Sequence, residues 1–535
     1  MRFRPDFVVV SAFLLSAAIA AAADAQSYRI ERIAAGLNQP SFVTQAPGDP
    51  ANILYFTERT SNTIGGFNVV NQMGKVWRYD VDTRTKQLVL DLSNRQVIND
   101  TGLHTIVFHP DFNNLGTTGY QKMYVTLSER GATALNRLEE YTIGPTGMAA
   151  FDRMILQYNN NAQNNHTINW AGFDPTASGD ERNYLYISTG DGSFGNNYNG
   201  GVSPAGRPSQ NPADVRGKIL RVDVDPTHAD AYPSDILKNF AIPASNPIPT
   251  YNAAHPDSPL MGGIVGRGGI AVPTAALGEV YVTGVRNVYR ASFDRDTGDL
   301  WMGDVGEFFA EEVSFLKTGS NTAGPPVDFG WPQREGIFSS GVPAAPQTTT
   351  NPFTGATSLE PLQQFLHDGG GEAVIGGYVY RGPVAELQGK YFYADFVTTG
   401  NTNQLWALDF DRDTDPADFN GNNGTNTDIS ALWQSLVFDP TDPAYLPNST
   451  TDSSAGLDHI VSFGEDNAGN LYLVDFGNGA GFNGQYPGAG LGEIFRVTPI
   501  VPEPATIVTA LVAAAFGLRL DRRKKGAPEA FFTSH

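Results

Sequence analysis

Short apolar and aromatic runs that break off in polar or charged residues recur along the chain, and long apolar stripes with a 3.6-residue period are missing. The run YLYISTGDG at 184–192 is the clearest: β-branched and aromatic residues alternate as in a buried strand, then Thr189-Gly190-Asp191-Gly192 sets a carboxylate between two glycines. Relatives of this run are ILYFTE at 53–58, KMYVTLSE at 122–129, DLWMGDVGE at 299–307, KYFYADF at 390–396 and NLYLVDFG at 470–477. Most precede a second run: GKVWRYD from 74, NRLEEYT from 136, GKILRVDVD from 217, QLWALDF from 404 and GEIFRVT from 492, with the looser EEVSFL from 311 after the 299 copy. Six such units with long, uneven connections predict an all-β chain, folded over residues 28–499 as a six-bladed β-propeller with long inter-strand loops. With each aromatic run as the innermost strand of its blade, Glu58, Glu129, Asp191, Asp304, Asp395 and Asp475 approach one funnel. A single Asp after a strand is ordinarily a turn residue. Six in register predict a site.

Composition agrees with many strands and turns: 58 Gly, 35 Pro and 11 % aromatics. A formal charge of −21, with no Lys/Arg cluster inside the body, argues against a nucleic-acid partner. It suits cations, since Asp and Asn oxygens are the ligands calcium prefers, and it equally suits the solubility of an exported protein. With no cysteine, no disulfide holds the fold and the core must suffice. Residues 227–280 and 338–372, rich in Pro, Gly and Ala, read as insertions over one face. The run DFDRDTDPADFNGNNGTNTD from 409 has Thr414 and Asn420 where a calcium loop needs Gly and Glu, and reads as a solvated hairpin loop.

Both ends look like address labels. Residues 1–25 combine Arg2 and Arg4, an apolar run from Phe7 and Ala23-Asp24-Ala25, the pattern of a cleaved signal peptide. Residues 501–526 comprise a Pro-Glu-Pro turn, an apolar stretch from Ala505 to Leu518 and a basic stop at Arg522 to Lys525. That tail resembles a PEP-CTERM sorting signal, a hydrophobic sorting helix thought to be recognised by an exosortase. The resemblance implies export to the periplasm, outer surface or extracellular matrix of a Gram-negative-type bacterium, with membrane contact only through this segment.

Longer phrases carry a second resemblance. GLHTIVFHPDF at 102–112, STGDGSFGNN from 188, ADVRGKILRVDVDP from 213, GEVYVTGVRNVYRASFDRDTGDLWMGDVGE from 278, FGWPQREG from 329 and IGGYVYRG from 375 resemble the glucose/sorbosone dehydrogenase family, from about Gly36 to Pro499. That family consists of soluble six-bladed propellers using pyrroloquinoline quinone (PQQ). The resemblance implies oxidation of a sugar hydroxyl, with hydride passing to the quinone and a histidine taking the proton. It matches His166, in NNHTINWAGF, to the base, and Asp191 to the residue that orients it. Arg286 and Asn287 match a cofactor-contacting pair, and Asp395 and His459 stand in the late-blade stretches where relatives place cofactor contacts. Glu312, with the carbonyl of Phe329, matches a structural calcium position. Other readings stay open: His166 as a solvated loop residue, Arg286 paired with Asp304, His109 as a turn histidine, and Trp331 as core or channel wall. The sequence departs from the family at His166-Thr167-Ile168-Asn169, where relatives have a glycine-rich step, and at Asn99-Asp100-Thr101. It also lacks Lys or Arg in the late-blade stretches. Two alternatives follow: a non-catalytic calcium-stabilised propeller binding carbohydrate or matrix polymer, and a calcium-dependent lactone hydrolase.

Overall fold

The paired strands are realised six times in the computed structural model, which describes residues 26–61, 69–160, 164–192, 208–265, 271–321, 324–339, 349–367, 373–396, 404–413, 419–445, 456–477 and 490–500. The terminal segments assigned above to a signal peptide (1–25) and a sorting tail (501–526) lie outside the described residues. The chain divides into a body, Ile30–Val497, and the terminal stretches Met1–Arg29 and Thr498–His535. In the latter, Ile500 donates its N–H to the Ser27 carbonyl at 2.7 Å.

The body is a six-bladed β-propeller. Its blades begin with the inner strands Pro40–Thr44, Gly102–Phe108, Ile168–Phe173, Val288–Phe293, Val374–Val379 and Ile460–Glu465, each the edge strand of a sheet of four or five strands, antiparallel but for one parallel pair at the outer edge of the third and of the sixth. Each inner strand packs beside those of the two neighbouring blades, and the sixth packs beside the first, closing the ring. The sixth blade takes its outer strands from both ends of the body: Gly492–Pro499 lies beside Tyr28–Leu37.

This arrangement corrects one expectation. The aromatic runs are the second strands of their blades: Ile53–Glu58 pairs with Pro40–Thr44, and Tyr184–Thr189 with Ile168–Phe173. The inner strands hide from pattern reading because they crowd around an axis, where Ala171, Gly172, Ala291, Ser292, Gly376 and Gly377 replace large side chains. The second-strand aromatics serve contacts between blades. Tyr55 meets Phe108 at 4.6 Å, Tyr124 meets Phe173 at 5.7 Å, Tyr186 meets Phe293 at 4.8 Å and Trp301 meets Tyr391 at 4.4 Å, each pair joining one blade to the next. Aromatic pairs contribute about 0.5–1.5 kcal/mol beyond their area. The core is accordingly a series of clusters between neighbouring blades, such as Phe42, Tyr55 and Val76 with Ile106, Val125 and Tyr141.

The insertion at 227–280 is more ordered than expected, holding the helix Pro247–Ala254 and the hairpin Met261–Val265 with Ala271–Ala275. Packing supplies the order that periodicity did not announce: Ile248 joins the cluster of Leu220, Val222 and Val280. Similarly, the stretch 338–372 contributes the fourth blade's outer strand, Gln363–Leu366. The run from 409 connects Gln404–Asp409 to Thr425–Asp428 as the expected hairpin.

Candidate active site

At one mouth of the channel, the second strand of the third blade ends at Thr189 and delivers Asp191 beside the loop that enters the inner strand. His166 lies in that loop. Its backbone is left-handed, φ 49°, an uncommon conformation for a residue with a side chain. The twist sends the His166 N–H toward Asp100 Oδ2, at 3.4 Å, and brings ring Nδ1 to 2.6 Å from Asp191 Oδ1. Gly190 makes the approach possible, because a Cβ there would lie 2.4 Å from the His166 carbonyl carbon and 2.9 Å from Asn287 Oδ1.

Asp191 is held from its other side by the Trp331 indole, which donates Nε1–H to Oδ2 at 3.0 Å. Burial alone would raise its carboxyl, but His166, Arg286 and the indole N–H outweigh burial and hold it below the usual range. An ionised Asp191 fixes the proton of a neutral imidazole on Nδ1, so Nε2 presents a lone pair. Nε2 makes no hydrogen bond to a described residue.

The fourth blade supplies the neighbours. Asp191 donates its backbone N–H to the Arg286 carbonyl at 2.8 Å, and Asn169 donates Nδ2–H to Asn287 Oδ1 at 2.6 Å. Arg286 and Asp304 do interact, as one reading anticipated, but through the backbone: Asp304 accepts the N–H groups of Arg286 and Asn287 at 3.0 and 2.6 Å. The guanidinium lies 5.4 Å from the Trp331 ring centroid and donates Nη1–H to the Val305 carbonyl at 2.8 Å. Its Nε is buried and has no hydrogen-bond partner among the described residues.

Glu312 faces Asp304 across the strand pair and accepts the Gly336 N–H at 2.5 Å. Burial pushes both carboxyls up, Asp304 to about 7 with Asp191 adding to it, and Glu312 well above its usual range with Asp304 adding to it. Phe329 is buried one residue before Gly330, its N–H donated to the Thr283 carbonyl at 3.0 Å. Among the described residues, no three His, Cys, Asp or Glu side chains converge as a metal site.

The ring of strand-end carboxylates resolves into a backbone device. Glu58 accepts the Asn38 N–H at 3.0 Å, Asp395 the Ala373 N–H at 2.9 Å, and Asp475 the N–H groups of Asp458 and His459 at 2.7 and 3.0 Å. Each carboxylate thus fastens the loop entering its own blade's inner strand, and Glu129 instead pairs with Arg137 and Arg95. Asp395 therefore carries a structural duty. His459 enters the sixth inner strand, across the channel from the third, buried against Phe396, and its Nδ1 has no partner among the described residues. Burial holds its imidazole below the usual range, so it supplies no cation. His109 is a turn residue as expected, accepting the Asp111 N–H at 3.0 Å.

Three residues at this site escaped sequence reasoning in their roles. Trp331, read as core or channel wall, is the second partner of Asp191. Asp100 appeared only as a departure from the family, and Asn169 only as part of one. The phrases FGWPQREG and STGDGSFGNN were visible, but nothing in their spacing joins positions 140 residues apart.

No protein-family model matches the chain. The HIPL2 protein of Arabidopsis thaliana is 29 % identical over 302 residues, covering 54 % of this chain and 36 % of that protein. This chain thus spans little more than a third of that curated relative. The soluble aldose sugar dehydrogenase of Escherichia coli, solved in its apo form, is 16 % identical with a TM-score of 0.51, covering 88 % of this chain and 100 % of that one. A putative oxidoreductase (glucose dehydrogenase) of Thermus thermophilus is 16 % identical with a TM-score of 0.50, covering 88 % and 99 %. At such identity the likeness shows the shared propeller fold.

Proposed function

We propose that this chain is an exported sugar dehydrogenase in which His166, oriented by Asp191, is the general base. The observation that carries the reading is the 2.6 Å contact between His166 Nδ1 and Asp191 Oδ1, held by Trp331. A hydroxyl presented to Nε2 loses its proton to the imidazole, and the imidazolium that forms is stabilised by the buried Asp191 carboxylate. A general base so placed contributes roughly 10²–10⁴ in rate. The hydride acceptor is PQQ, which when bound supplies a quinone able to take the carbon's hydride.

The residues present fit that group at one end. Arg286 carries a buried Nε–H, unpartnered among the described residues, on a guanidinium, the donor an anionic oxygen requires, with Asn287 beside it. Two carboxylates of the trianionic quinone remain, and among the described residues of the fifth and sixth blades Asp395 and neutral His459 offer them no cation. Glu312 and the Phe329 carbonyl would hold a calcium ion, whose charge would offset that of the quinone and relieve the repulsion of Glu312 by Asp304. That same deficit is the one observation favouring a non-catalytic, calcium-stabilised propeller that binds carbohydrate or matrix polymer. No observation favours the lactone hydrolase, since the strand-end carboxylates serve their own blades. We further propose that residues 1–25 direct export and that residues 501–526 engage sorting machinery at the membrane.

Titration of the purified body with PQQ and calcium, followed by dye reduction with a panel of aldoses, tests the reading. Saturable PQQ binding with turnover abolished by His166→Ala supports it. Absence of PQQ binding at high micromolar concentration removes the dehydrogenase and leaves the binder.

A further inference from the structure

The opposite mouth of the channel contains a cavity of about 480 Å³, formed at the far ends of all six inner strands. His166 precedes the first residue of Ile168–Phe173, whereas the cavity is lined by that strand's last four residues, about 13–23 Å away at strand rise. Between them lies the guanidinium of Arg290, buried and bonded to Ser41 and Asn169 carbonyls and to Ser462. The cavity is therefore a compartment of its own, within the size range of small-molecule sites.

Its walls are aromatic: Trp170, Phe173, Phe293 and Tyr378. Gly172 lets the indole lie against its strand, since a Cβ there would sit 2.3 Å from Trp170 Cζ2. Set among these rings are Arg295 and Glu465. Arg295 Nε lies 2.8 Å from Glu465 Oε1, but off the N–H direction, so the two form an ion pair and no hydrogen bond. Both atoms are buried, with hydrogen-bonding capacity unused among the described residues. The Tyr378 hydroxyl, beside them, makes no hydrogen bond to a described residue.

We propose that this cavity is a binding site for a neutral saccharide. A hydroxyl group donates to the outer oxygen of the Glu465 carboxylate and accepts from the Tyr378 hydroxyl, leaving the ion pair intact. A carboxylate ligand meets the repulsion of Glu465, and an ammonium ligand meets that of Arg295. A zwitterion would have to break an ion pair already in contact. Ring faces of a sugar pack against aromatic walls, while its remaining hydroxyls reach the Tyr378 hydroxyl and solvent. Burial pushes the Glu465 carboxyl up to about 7, so the acceptor weakens as it protonates. The site shares no residue with the dyad and does not rest on the dehydrogenase reading.

Isothermal titration of the full chain carrying His166→Ala, with glucose as probe and glucosamine and glucuronate as its charged counterparts, tests this. The expected result is saturable glucose binding in the millimolar range or tighter, with both charged sugars about tenfold weaker or worse. Tyr378→Phe weakens it by about tenfold, the effect of one hydrogen bond, at unchanged melting temperature, and Glu465→Gln weakens it by a similar factor while lowering the melting temperature through the lost ion pair. Should Glu465→Gln fail to fold, Tyr378→Phe decides alone. The proposal is overturned by the absence of saturable heat, by glucose binding indifferent to these substitutions, or by a charged sugar binding more tightly than glucose. Failure here leaves the dyad untouched, because the dyad is tested by turnover.

Discussion

Arg290 offers a test of what holds the ring closed. It leaves the fourth blade's inner strand and crosses the channel, donating to Ser462 Oγ at 2.9 Å in the sixth blade, to the Ser41 carbonyl at 2.7 Å in the first and to the Asn169 carbonyl at 3.3 Å in the third. It also donates to the Tyr289 carbonyl at 2.9 Å. Among the described residues no carboxylate pairs with it, and burial lowers its pKa. Arg290→Met keeps the stem and removes the guanidinium. Three long-range acceptors are then left dry, at about 1–3 kcal/mol each, or about 3–9 kcal/mol together. The desolvation of a buried cation is no longer incurred, which returns several kcal/mol. The remainder is a net destabilisation of about 2–4 kcal/mol. For a body of this size, Ile30–Val497, that lowers the melting temperature by about 2–4 °C, read by calorimetry at one scan rate. In the Arg290→Met background, Ser462→Ala should cost about 1 kcal/mol less than in the wild type. A variant melting at or above the wild type refutes the brace and shows that desolvation outweighs the four hydrogen bonds.

Other outcomes follow from the same geometry. Asp191→Asn cannot satisfy both the Nδ1–H of His166 and the indole of Trp331 as an ionised acceptor, so kcat falls by roughly 10²–10⁴ with the melting temperature held near wild type; retained turnover removes Asp191 from the mechanism. Gly190→Ala drives a methyl into the His166 backbone, and a destabilisation of about 1–3 kcal/mol together with lost activity is expected from melts and dye reduction. Stability also depends on pH through the sixth blade. Burial, with Asp458 beside one and Asp475 beside the other, raises Asp475 and Glu493 to about 8. The folded state therefore binds more protons than the unfolded chain, and this stability is lost as pH rises from about 4 toward 8. Asp439, lowered to about 2, acts in the opposite direction and only below about pH 4. The melting temperature should be higher at pH 5 than at pH 8.5, and Glu493→Gln should flatten the slope. A melting temperature that climbs steadily over that range contradicts the assignment.

The blades were legible because their second strands are doubly marked, by alternation and by the aromatic that reaches the next blade, as Tyr186 reaches Phe293. The inner strands carry no such mark. Crowding at the axis selects glycine, alanine and serine, and Arg290 sits inside GVRNVYR while its partners lie 121, 172 and 249 residues away. Asp191 was legible as one of the strand-end carboxylates, but its pairing with His166, and His166 itself, only through phrases resembling a family, and Trp331 was not legible in its role at all. The over-reading was the carboxylate ring, and its correction shows what sets the third blade apart. A carboxylate at the end of a second strand serves the loop that enters the inner strand, and in the first, fourth, fifth and sixth blades that loop answers with a backbone N–H. In the third blade the answering residue is His166, whose left-handed backbone points its N–H toward Asp100 and gives the carboxylate an imidazole instead. A fold-wide fastening device thus becomes a candidate base through one backbone angle. Sequence cannot display that angle, since the residue that adopts it is neither glycine nor asparagine.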